Sequence, residues 1–149
     1  LRRQRQMCIR DRTDDSPGTG RCLCGGVSYV FTSAPLRSTV CHCATCRRRT
    51  GSLFSAHLWF ERAQLAFDGH LSSYGFTTDA GRHVSTHFCG RCGTTLWFEA
   101  EVTPGLKALC AGTLDNPNEW TRPGRELFCV NKPDFLELDI AETHDTQPF

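Results

Sequence analysis

Cys41-His42-Cys43-Ala44-Thr45-Cys46 is the stretch from which the rest of this chain can be read. Three thiols fall at a C-x-C-x-x-C spacing. Cysteines at i and i+2 point their side chains apart and rarely bridge one another, so a local disulfide explains the pattern poorly. One turn of backbone can instead aim all three sulfurs at a cation about 2.3 Å away, the zinc–thiolate distance. Three thiolates leave one corner of a zinc tetrahedron open, the arrangement a catalytic zinc requires. Cys41, Cys43 and Cys46 are therefore the candidate catalytic ligands.

Two further clusters flank this one. Cys22-Leu23-Cys24-Gly25-Gly26 lies upstream, and Cys89-Gly90-Arg91-Cys92-Gly93 lies downstream with the look of a zinc knuckle. Glycines behind a ligand let the backbone turn tightly and aim its N–H groups at sulfur. The simplest division pairs Cys22 and Cys24 with Cys89 and Cys92 as a closed structural site. The trio then keeps its open site, giving two zinc ions per chain. Such a site would clip together strands remote in sequence and so stabilise a small core. Spacing alone does not exclude the alternative in which Cys41 and Cys43 join Cys89 and Cys92. Cys110 and Cys129 sit in apolar stretches and read as small buried hydrophobes.

The whole chain has 149 residues, the length of one domain. Ten cysteines are far above the usual level, but they are clustered as metal ligands are, not spread as in disulfide frameworks. No apolar run is long enough to span a bilayer and no apolar h-region follows the basic start, so a cytoplasmic protein is expected. The segment 1–12 is basic, polar and aperiodic. Its Met7-Cys8-Ile9-Arg10-Asp11 reads as translated sequencing adapter, an artefact, which removes Cys8 from the ligand set. Five of the 17 basic and one of the 16 acidic residues lie there, leaving 12 against 15 and a net charge of −3. A weakly acidic domain is a poor nucleic-acid binder. Residues 1–19 are expected to be a disordered lead-in, with order starting near Arg21, a zinc-binding domain over 20–140 and a tail over 141–149.

Short β-branched and aromatic runs separated by turn residues predict a mainly β fold of short antiparallel strands. Strands are expected over 27–32, 36–40, 53–60, 65–67, 71–76, 83–88, 94–98, 106–111, 126–130 and 135–140. Asp68-Gly69 and Asp79-Ala80-Gly81 read as turns. The only helical suggestion is a short one near Cys43 to Arg48.

Gly20-Arg21-Cys22-Leu23-Cys24-Gly25-Gly26-Val27-Ser28-Tyr29, the trio with its continuation Arg47-Arg48-Arg49-Thr50-Gly51-Ser52, Phe88-Cys89-Gly90-Arg91-Cys92-Gly93-Thr94 and Ala111-Gly112-Thr113-Leu114-Asp115 occur in this order. Together they resemble the glutathione-dependent formaldehyde-activating family, whose domain is shared with a centromere protein. The resemblance runs from about Gly20 to Phe135, where Phe135 replaces a common Trp. It implies a zinc-clipped β-tent, a structural zinc on Cys22, Cys24, Cys89 and Cys92, and a catalytic zinc on Cys41, Cys43 and Cys46. The implied chemistry is a carbon–sulfur lyase acting on the adduct of a small thiol such as glutathione with an aldehyde, formaldehyde in the family's name. The competing expectation is a non-catalytic zinc-binding interaction module.

Around this core, Arg47 and Arg48 could clamp a substrate carboxylate, with Arg49 beside them. Phe54, His57, Trp59 and Phe60 could line the pocket, although strand aromatics are more commonly core. His42 reads as an exposed loop histidine and His87 as structural. The chain does not disclose its oligomeric state. A genomic read across residues 1–12 is expected to lack the adapter codons; an intact coding sequence there would overturn the exclusion.

Overall fold

The computed structural model describes residues 17–148, so the segment 1–12 and Cys8 lie outside the described residues. Among the described residues, eleven strands form two sheets. In chain order they are β1 (Gly18–Arg21), β2 (Ser28–Phe31), β3 (Arg37–Cys41), β4 (Ser55–Glu61), β5 (Leu65–Asp68), β6 (Leu71–Thr77), β7 (His83–Cys89), β8 (Thr95–Ala100), β9 (Leu106–Cys110), β10 (Arg125–Leu127) and β11 (Glu142–Thr143). Two short helices interrupt them, α1 (Ala44–Thr50) and α2 (Pro117–Trp120). The small sheet runs β1-β2-β5 and the large one β11-β10-β3-β4-β9-β8-β7-β6. The expected mainly β fold is the observed one. Pairing is antiparallel throughout except at β10, which lies parallel to both β3 and β11.

The period-2 pleat of β4 organises the packing. Leu58 and Phe60 point between the sheets, where they meet Phe31, Leu96, Trp97 and Leu109 in the main core. His57 and Trp59 point the opposite way, and Trp59 packs with Val84, Phe98 and Ala108 in a second cluster. Phe31 packs at a tilt against Phe60 and meets Trp120 edge-on, both at 4.8 Å between ring centroids. The edges are blunt. β11 has two residues, and β6 is mostly polar and exposed, so neither offers a long apolar template for another chain.

Several boundaries move. β1 begins at Gly18, two residues inside the expected lead-in, because Gly18 to Arg21 pairs residue for residue with Ser28 to Phe31. The strand expected over 53–60 starts at Ser55, leaving Leu53 exposed. The expected 126–130 strand ends at Leu127, where Phe128 takes a left-handed backbone and Cys129 to Asn131 turn as a 3₁₀ helix. Cys129 is therefore not a strand residue. No strand forms over 135–140: Phe135 lies 78% exposed, next to a turn in which the Leu136 N–H donates to the Pro133 carbonyl. The expected tail supplies β11 instead.

Asp68-Gly69 is a turn, but not that of a hairpin. It carries the chain from β5 in the small sheet to β6 in the large one. Gly69 has φ +106°, and a Cβ there would be driven into the Gly26 carbonyl oxygen. Gly81, at the β6–β7 turn, also has positive φ but faces open space. Gly69→Ala is thus expected to cost about 3 kcal/mol, strain plus backbone clash, and Gly81→Ala about 1 kcal/mol. Urea unfolding of the two variants decides this, and equal losses would refute the close approach.

Candidate metal centres and the adjoining cleft

Two groups of sulfurs come together. The Sγ atoms of Cys22, Cys24, Cys89 and Cys92 all lie within 4.8 Å of one another. The separations between Cys22 and Cys24, 3.5 Å, and between Cys24 and Cys89, 3.7 Å, match the roughly 3.8 Å edge of a zinc–thiolate tetrahedron. The turn after β1 brings one pair and the turn after β7 the other, so this group joins the two sheets. Backbone N–H groups face it: Val27 donates to Cys22 at 3.3 Å, Gly26 to Cys24 at 3.4 Å and Arg91 to Cys89 at 3.4 Å. The Thr94 hydroxyl, followed by its N–H, draws the Cys92 thiol down to about 5. Cys24, despite the Gly26 N–H, is pushed up to about 11 by the neighbouring Cys22, so a bound cation is needed for all four to serve as thiolate ligands.

The second group is Cys41, Cys43 and Cys46, again within 4.8 Å of one another. β3 delivers Cys41 at its end. Cys43 then caps α1, accepting a hydrogen bond from the Cys46 N–H at 3.3 Å, and Gly51 ends the helix in a left-handed conformation. One helical turn thereby sets Cys46 beside Cys43. Among the described residues, no other Cys, His, Asp or Glu joins this group. Cys110 instead accepts from Arg49 Nη1 at 3.4 Å, and the Cys129 thiol donates to the Glu126 carbonyl at 3.7 Å. Hydrogen bonds from Cys41 and then Cys46 pull the Cys43 thiol down to about 2, against burial and with help from α1 N–H groups. The bond to Cys43 pushes Cys41 far up, and Cys46 is held up near 12. Protein groups alone therefore stabilise one negative charge among the three, and a bound cation is needed to ionise all of them. Both clusters could hold a metal ion, and an all-sulfur donor set suits zinc.

His42 corrects its expected exposure. It is completely buried, with ring Nε2 2.6 Å from Glu126 Oε1 and its backbone N–H donating to the Leu127 carbonyl. Lys132 Nζ lies 3.4 Å from the same carboxylate oxygen. Driving the His42 ring inward leaves the flanking Cys41 and Cys43 to face the other way. Glu126 is also fully buried. It lies 84 positions from its partner, and no local motif marks it.

The trio lies on the wall of a cleft of about 360 Å³, and the four-sulfur group does not border it. Thr39 and Arg37 of β3, His57 and Trp59 of β4, Phe98 of β8 and Arg125 of β10 supply much of its lining. Burial, foremost, holds His57 neutral at about 3, with Nδ1 3.3 Å from the Ser55 hydroxyl. Of the residues singled out in the sequence, His57 and Trp59 reach this cleft, whereas Phe60 turns into the core. Arg47 and Arg48 do not line it. Phe54 lines a separate cavity of about 560 Å³ with Arg49, Cys110 and Thr113, and its ring lies 5.8 Å from that of His42. Arg49 is deeply placed, donating to Ser55 at 2.9 Å and stacking over Phe98 at 4.1 Å. His87 stacks on Trp97 at 3.5 Å between centroids. Arg37 and Arg125 went unnoticed in the sequence. Period-2 counting back from Cys41 through Thr39 would have flagged Arg37.

Known proteins match this arrangement. The sequence model described as glutathione-dependent formaldehyde-activating enzyme matches residues 17–131. A Halomonas elongata protein named "Putative glutathione-dependent formaldehyde-activating enzyme" is 31% identical over 134 residues, covering 83% of this chain and 82% of that protein. A Schizosaccharomyces pombe protein named as an uncharacterized lyase is 30% identical over 79 residues, 53% of this chain and 55% of its own. The crystal structure of a Rhodobacter sphaeroides protein shares the fold, with a TM-score of 0.53 and 24% identity, over 68% of this chain and 93% of that one. With a family match spanning both sulfur groups and every strand from β1 to β10, the chain belongs to the glutathione-dependent formaldehyde-activating enzyme family.

Proposed function

We propose that this protein is a zinc-dependent carbon–sulfur lyase that makes or breaks a thiol–aldehyde adduct of the S-hydroxymethyl-glutathione kind. The observation that carries the reading is the different placement of the two sulfur groups: three sulfurs meet on a cleft wall, and four meet away from it. Cys22, Cys24, Cys89 and Cys92 would hold a structural zinc, and Cys41, Cys43 and Cys46 a catalytic one. Bound by these three thiolates, a zinc ion would supply an open, Lewis-acidic coordination position that lowers the pKa of an incoming thiol toward neutral pH.

In the forward direction the substrate sulfur donates its electron pair to the aldehyde carbon. The carbon–oxygen π pair moves to oxygen, which takes up the proton released by the thiol, and the reverse steps break the adduct. The chain's own residues shape where this happens. The buried His42–Glu126 pair orients the trio, Trp59 and Phe98 wall the cleft against water, and neutral His57 adds no charge to it. Substrate contact is proposed on these cleft walls, since Arg47, Arg48 and Phe54 do not border it. No helix among the described residues is long and apolar enough to cross a membrane. Seven thiols kept reduced for metal suit a cytoplasmic setting, which belongs to this proposal.

Metal analysis of the purified chain is expected to give two zinc ions. Cys43→Ala is expected to lose one while remaining folded, at a cost near 1 kcal/mol for the lost α1 cap. Cys89→Ala, which opens the clip between the sheets, is expected to lose the other and to unfold. Retention of both ions by Cys43→Ala would rule out the trio as a ligand set.

In cobalt-substituted protein, glutathione is expected to change the sulfur-to-metal absorption in wild type and not in Cys43→Ala. An unchanged wild-type spectrum would remove the basis for the lyase and favour an interaction module.

A further inference from the structure

On β3, alternate residues Arg37, Thr39 and Cys41 all line the cleft. β10 runs parallel beside it with Arg125 opposite Thr39 and Leu127 opposite Cys41. The strand therefore forms a ruler: at about 3.3 Å per residue, Arg125 is level with a point roughly 7 Å from the Cys41 backbone and Arg37 with one roughly 13 Å away. Arg125 Nε donates to the Thr39 hydroxyl at 3.3 Å, and the Arg37 guanidinium stacks over Trp59 at 5.0 Å. Arg37 Nε is buried without a hydrogen-bond partner. Among the described residues neither guanidinium pairs with a carboxylate. The acid that lines the cleft, Asp79, belongs to the β6–β7 turn with Arg82.

Two cations side by side in a partly desolvated cleft repel each other, and burial followed by the charge of Arg125 weakens the hold of Arg37 on its proton. An anion between them would relieve this, and a carboxylate matches the fork of a guanidinium. We propose that Arg37 and Arg125 form a carboxylate-docking subsite, so that the thiol taken by this cleft bears a carboxylate several bonds from its sulfur. A short mercapto acid, whose carboxylate sits beside the sulfur, does not span the ruler. A peptide thiol does. The inference rests on the proposed lyase reading only for where the sulfur sits; carboxylate docking is a separate event.

Calorimetric titration of the zinc-loaded full chain separates the two. S-methylglutathione, which keeps both carboxylates but blocks the thiol, is expected to bind wild type and to bind Arg37→Gln/Arg125→Gln at least about tenfold more weakly. Cys43→Ala is expected to retain this binding. Glutathione diethyl ester is expected to bind wild type about tenfold more weakly than glutathione does. If the glutamine pair does not fold, Arg37→Lys/Arg125→Lys keeps the charge, and loss of the fork is expected to weaken binding about threefold. Equal affinities for acid and ester, or unchanged affinity in the arginine variants, would overturn the subsite. Carboxylate binding without any thiol-induced change at cobalt would sink the lyase reading and leave the subsite standing.

Discussion

A β-strand turns its side chains to alternate faces, and in this protein one central strand uses both. β4 places Leu58 and Phe60 in the main core and His57 and Trp59 on the cleft wall. A shift of register by one residue would exchange the two sets, burying His57 in the core and exposing Phe60. The pairing of β4 with β3 on one side and β9 on the other prevents that. Cleft and core are therefore not separate designs. The contacts that hold the sheet together also aim the residues that face the cleft.

The sulfur groups are attached to this frame at strand ends, where the backbone is free to turn. The four-sulfur group joins the β1–β2 turn to the end of β7, and so links the small sheet to the large one. The trio hangs from the end of β3 and is completed by the first turn of α1. Behind it, the buried His42–Glu126 pair with Lys132 near the same carboxylate oxygen gives the loop a polar anchor. A buried hydrogen-bonded pair of this kind adds little net stability but makes a misplaced loop costly, because either partner left alone in the interior would be unpaired. Precision at the trio is a consequence.

Family membership and geometry speak to different questions. The match over residues 17–131 accounts for the fold and the sulfur spacing. It leaves open what distinguishes one substrate from another, and that is set by the walls. The cleft carries positive charge from Arg37 and Arg125 and apolar surface from Trp59 and Phe98, with a neutral imidazole between them. Such a wall would suit the extended, anionic thiol proposed for it. Arg47 and Arg48 follow the trio directly in sequence, yet a helix carries them away from the cleft.

Local pattern in the amino-acid sequence was enough for the mainly β class, for most strands to within two residues and for marking seven cysteines as three ligand clusters, with the division of those clusters left between two alternatives. Alternation, turn residues and ligand spacing are short-range properties, readable from neighbours. Pattern failed where the partner lay far off. Glu126 could not be paired with His42, nor Arg125 with Thr39, because each pair meets only when β10 docks parallel to β3. It failed as well over 135–140, where the residues suit a strand but no neighbouring strand pairs with them, and at β11, two residues defined entirely by pairing with β10. That these cysteines are ligand clusters was written in spacing; that Cys22 and Cys24 meet Cys89 and Cys92 was decided by the fold. Which residues surround them was decided by the order of strands in the sheet, since strand pairing brings together side chains that the chain itself keeps apart.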